Sequence, residues 1–88
     1  MSKHILVLAR RDVYEAIRVA AGLTIRNNTV DFVFMKEPPL TPEGKVQNFE
    51  MLELTEIRPQ SLIDGIPDTT PCEDLSALIS NADRVVSF

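Results

Sequence analysis

Apolar and polar positions divide this chain into an alternating order of strand and helix. Residues 4–9, HILVLA, form an unbroken apolar run that two arginines end at once. Such a run reads as a strand buried on both faces, as at the centre of a parallel sheet. In the next segment, DVYEAIRVAAGLTIRNN, the period changes. Val13, Ile17, Ala20 or Ala21, and Leu23 or Thr24 recur at helical spacing, with Arg18 and Arg26 on the opposite side. Asp12 is placed to cap this helix, and Glu15 to complete a reciprocal capping box. Asn27 and Asn28 suit a left-handed stop. TVDFVFMK, residues 29–36, returns to β-branched and aromatic character and predicts a second strand. Strand, helix and strand within roughly thirty residues form a βαβ unit with a right-handed crossover.

The second half is more broken. Pro38 and Pro39 stop the strand. Thr41 with Pro42 reads as a cap and first helical position, and Val46, Phe49, Leu52 and Ile57 extend that helix through residue 57 before Arg58-Pro59 closes it. SLIDGI, residues 61–66, predicts a short third strand cut by Gly65. Thr70 then caps, Pro71 takes the first helical position and Glu73 completes a box, with Leu75, Leu78 and Ile79 facing the core. Asn81 and Asp83 end this helix, and RVVSF closes the chain as a fourth strand. The order βαβαβαβ predicts a parallel sheet of about four strands, covered by helices on both faces. Ligands of such sheets sit beyond the carboxyl ends of the strands.

Composition narrows the function classes. Eighty-eight residues make a single domain, residues 1–88. A chain this short buries about 60–65% of its unfolded surface, so association with other chains is expected. The net charge of −4 and pI near 4.8 argue against nucleic acid, whose binders need a concentrated basic face. One cysteine allows no internal disulfide, and His4 and Cys72 alone cannot make a zinc site. No metal or cofactor is called for. No run approaches a membrane span or a signal peptide, so a cytoplasmic location with no membrane partner is expected.

Three stretches carry a family resemblance: ILVLARRDVYEAIRVAAGL, TVDFVFMK and above all EDLSALISNADRVVSF. Over nearly the whole chain these resemble the DsrE/DsrF/DsrH superfamily, small α/β proteins of sulfur metabolism with relatives in the TusBCD sulfur relay. The resemblance implies a three-layer α/β/α, flavodoxin-like fold. It also implies homo-oligomers or hetero-oligomers with other members of the family, and contact with a sulfur-donor or sulfur-acceptor protein. Some members carry sulfane sulfur as a persulfide on a cysteine in the loop after the third strand or second helix. Here EIRPQSLIDGIPD has no cysteine, and Cys72 lies later. Other members lack an active cysteine and serve as structural partners.

The candidate site residues follow. Cys72, in the first turn of the last helix as predicted, would have its thiolate stabilised by free N–H groups, although Glu73 and Asp74 oppose this. The bland alternative is a small residue under a helix start. Arg10, Arg11, Asp12 and Lys36 fall at strand ends, where guanidinium and ammonium groups can hold an anion. No glycine there permits the close backbone approach of a phosphate loop, and a solvated turn with an Asp cap is the alternative. His4 belongs at the opposite end of the sheet, as a structural or surface residue. Glu50, Glu53 and Glu56 read as a solvated helix face. Three functions are open: an accessory subunit in sulfur handling that is not itself an enzyme, a sulfurtransferase component carrying persulfide on Cys72, or a module binding a small anionic ligand at the strand ends.

Overall fold

A computed structural model describes residues 3–88. The apolar run is strand β1 (His4–Ala9), buried from Ile5 to Ala9. Helix α1 (Val13–Ile25) follows, with Asp12 capping it by accepting the Glu15 N–H. The reciprocal half of the box does not form, because the Glu15 carboxylate pairs with Arg18 one turn along. Ala16, Ile17, Ala20 and Ala21 bury the inner face. Asn27 takes the left-handed conformation at φ 65°, and the Asn28 side chain donates to the Leu23 carbonyl. Strand β2 (Thr29–Phe34) is two residues shorter than predicted.

The predicted second helix is corrected. Helix α2 covers only Phe49–Leu54, and Thr41 and Pro42 lie in a turn. The Thr41 N–H donates to the Lys45 carbonyl, the Thr41 hydroxyl oxygen accepts from the Lys45 N–H, and Leu40 bridges antiparallel to Val46. Gly44 at φ +83° and Asn48 at φ 65° take left-handed backbone, which a continuous helix excludes. The apolar spacing of Val46, Leu52 and Ile57 is nonetheless real, because all three are buried.

The third strand, β3, is Gln60–Ser61 rather than 61–66. Thr70 and Pro71 do not open a helix. They form strand β4 (Thr70–Pro71), which pairs with β3. Helix α3 (Leu75–Asn81) starts later, capped by Asp74, which accepts the Ala77 N–H. Strand β5 (Arg84–Ser87) ends the order.

All five strands are parallel, in the order β4-β3-β2-β1-β5. This is an α/β sheet consistent with the expected flavodoxin-like class, with one strand more than expected. The chain winds outward from β1 through β2, β3 and β4, then returns to place β5 on the other side of β1. The reversal between β1 and β5 is the topological switch point.

Alternation along β1 divides the core. Ile5, Val7 and Ala9 join Phe32, Phe34, α1 and α2 in a cluster of thirteen buried residues. Phe32 and Phe34 meet edge to face at 4.9 Å. Leu6 and Leu8 belong with Val33 to a second cluster of only three buried residues. Leu75 and Leu78 of α3 pack on it, yet no residue of α3 is itself buried.

Candidate functional site

Parallel strands bring their carboxyl ends to one edge of the sheet, and four of the five sequence candidates lie there after the neighbouring strands β1 and β2. Arg10 and Arg11 follow β1 and are exposed. Lys36 follows β2, and its Nζ donates to the Arg11 carbonyl at 3.2 Å. Asp12 stands beside them, with its carboxylate engaged in capping α1. The backbone N–H groups of Arg10 and Arg11 both donate to the Phe88 oxygen, at 2.8 and 2.6 Å. The chain's own oxygen therefore fills the convergent amide pair at the switch point. What remains to meet an anion is the side chains, not the backbone.

Two shallow depressions flank Arg11. One, of about 470 Å³, is formed by Arg10, Arg11, Ser87 and Phe88, with no carboxylate side chain in its lining. The other, of about 610 Å³, adds Tyr14, Lys36 and Pro38-Pro39, but also Asp12 and Glu37. Tyr14, the only tyrosine and 55% exposed, was not singled out from the sequence; its place in the first turn of α1, across the depression from Pro38-Pro39, depends on tertiary packing. A wider depression beside α2, of about 770 Å³, mixes Lys45 and Arg58 with Glu53, Glu56 and Asp68. It includes Pro59 and Thr70, at the amino ends of β3 and β4, away from the carboxyl edge where ligands of such sheets collect.

Cys72 requires a correction. It lies after β4 and two residues before the Asp74 cap, so it is not in the first turn of a helix. Its N–H donates to the Ser61 carbonyl at 2.8 Å, and the half-buried side chain packs against the second core cluster. Cys72 and Arg10 share the carboxyl edge but follow strands three places apart, roughly 14 Å at ordinary strand spacing. The structure does not bring the thiol together with the arginines.

At the opposite end, His4 Nε2 lies 2.5 Å from Asp31 Oδ2, both partly buried, joining β1 to β2. Glu50, Glu53 and Glu56 are exposed. Among the described residues no three of the His, Cys, Asp and Glu side chains cluster as metal ligands, and no helix is long and apolar enough to cross a membrane. Compared with family models, with curated proteins and with solved structures, the chain finds no match in any of the three.

Proposed function

We propose that this chain is a DsrE-like accessory subunit of cytoplasmic sulfur handling, which works by assembling with another copy of itself and presenting a surface to a sulfur-donor or sulfur-acceptor protein. The observation that carries this is the unequal cover of the sheet. Parallel sheets bury both faces. Here, among the described residues, the cluster on one side of the sheet holds thirteen buried residues and that on the other side three. Val85, paired in register with Leu6 on the thin side, is 39% exposed, and Ile79 of α3 is 45% exposed. A short chain with half a core on one side gains most of its missing burial by association. The half-buried Cys72, which lies before the cap of α3 and outside its first turn, supports a subunit over a sulfur carrier. The test is sedimentation of the purified chain at micromolar concentration. A dimer is expected, and a monomer throughout that range overturns the reading.

A second reading is favoured by one specific contact. The Lys36 ammonium reaches the Arg11 carbonyl, and Arg11 lines one depression with Lys36 and another with Arg10, so three cationic residues follow one another along the switch-point edge of an acidic protein. This arrangement suits a small multivalent oxyanion. Its test is a thermal shift with sulfate against chloride at matched ionic strength.

A further inference from the structure

We infer that β5 pairs antiparallel with β5 of a second copy of this chain, joining the two sheets edge to edge. The inference rests on the subunit reading above and places a contact at the sheet edge that carries Val85 of the thinly covered side. The sheet has two edges, and they are not alike. Strand β4 is two residues long and ends in Pro71, which has no N–H to offer. Short edges and proline are the usual guards against strand addition. Strand β5 is four residues, Arg84-Val85-Val86-Ser87, with no proline.

The ladder fixes which groups of β5 are free. Phe88 donates to the Leu8 carbonyl at 3.1 Å and accepts from Arg10 at 2.8 Å, so its backbone faces β1. By alternation Arg84 and Val86 face β1 as well. Val85 and Ser87 therefore direct N–H and C=O away from the sheet. A two-fold axis at Val86 sets Val85 of each copy opposite Ser87 of the other, so that each pair exchanges two hydrogen bonds. Val86 then faces Val86, and Arg84 lies opposite Phe88. No like-charged side chains meet, and residues 84–88 contribute no carboxylate side chain to the seam of a chain carrying a net charge of −4. The edge is complementary to itself, which selects a second copy as its occupant.

The test uses the whole chain in two variants. Val85→Pro removes an N–H that no internal bond uses, so the fold stays intact by circular dichroism while the dimer dissociation constant rises by at least about tenfold. Val86→Cys, placed in a Cys72→Ser background, forms a disulfide between copies on mild oxidation, because facing Cβ atoms of such a pair lie about 5 Å apart. Leu54→Cys in the same background, exposed on α2, is the control that does not cross-link efficiently. A dimer that survives Val85→Pro and does not cross-link through residue 86 overturns β5 pairing while leaving the subunit reading intact. A wild-type monomer overturns both.

Discussion

Asp83 and His4 hold each other by two hydrogen bonds across almost the full length of the chain. The His4 N–H donates to the Asp83 carboxylate at 2.8 Å, and the Asp83 N–H donates to the His4 carbonyl at 2.7 Å. The pair pins the entry of β5 to the start of β1 and sets the register between them. Asp83→Ala removes the side-chain bond and is expected to cost about 1 kcal/mol. For a domain this size that lowers Tm by about 4–8 °C. Asp83→Asn keeps an acceptor and should recover most of the loss, which thermal denaturation of the two variants resolves.

The two faces of the sheet should respond unequally to truncation. Phe34 is fully buried in the larger cluster, so Phe34→Ala is expected to cost about 3–5 kcal/mol, near the whole stability of a small domain. Leu78 packs only on the three-residue cluster and is half-buried, so Leu78→Ala should cost about 1–2 kcal/mol in the monomer. Urea titration measures both. Equal losses would mean that the second face is as fully packed as the first.

Much of the fold was legible because local and global signals agree in the first half. HILVLA is a central strand buried from Ile5 to Ala9, and Asp12, Ile17 and Asn27 take the cap, core and stop positions their chemistry suits. The second half misled for a physical reason. Thr41-Pro42 and Thr70-Pro71 carry the same cap-and-proline signature, but the first sits in a left-handed turn at Gly44 and the second pairs with β3. Proline at a helix start and proline on a sheet edge satisfy the same missing N–H, and only tertiary pairing separates them. The cationic cluster was legible one residue at a time. Its proximity to Phe88, and the distance from Arg10 to Cys72, depend on strand order, which no local pattern contains.

Gly44 tests the turn that replaced the expected helix. At φ +83° no neighbouring atom blocks a Cβ, so the strain of a substitution is purely that of the backbone. Gly44→Ala is expected to destabilise by about 1 kcal/mol. A helix running from Thr41 to residue 57 would instead be stabilised by the same change, by roughly 1 kcal/mol. The sign of the change in the urea midpoint separates the two.

Cationic side chains at the switch point give a binding prediction. If Arg10, Arg11 and Lys36 hold an oxyanion, sulfate should raise Tm above chloride at matched ionic strength, because a ligand of the native state stabilises it by mass action. Arg10→Ala with Arg11→Ala should abolish that excess. Both variants keep the backbone N–H groups that meet Phe88, so the fold is retained. An excess that persists in the double variant would be a general salting effect and not a site.

Acid should weaken α1 through Glu15. Its hydrogen bond to Arg18, reinforced by the opposite charge, holds the carboxyl below its ordinary value. A carboxyl depressed on folding contributes stability above its unfolded pKa, and that contribution is lost as pH falls through the lower folded value. Glu43 is depressed in the same direction, first by a backbone hydrogen bond and then by the Thr41 hydroxyl. Glu15→Gln removes the first contribution at neutral pH and leaves the second. The variant should therefore be less stable than wild type at pH 7, and the two should converge as the medium is acidified below the carboxylate range. The exposed pair makes the difference small and sensitive to salt. Paired thermal melts across that range measure it, and a gap between the two proteins that widened on acidification would show that Glu15 acts through some contact other than its charge.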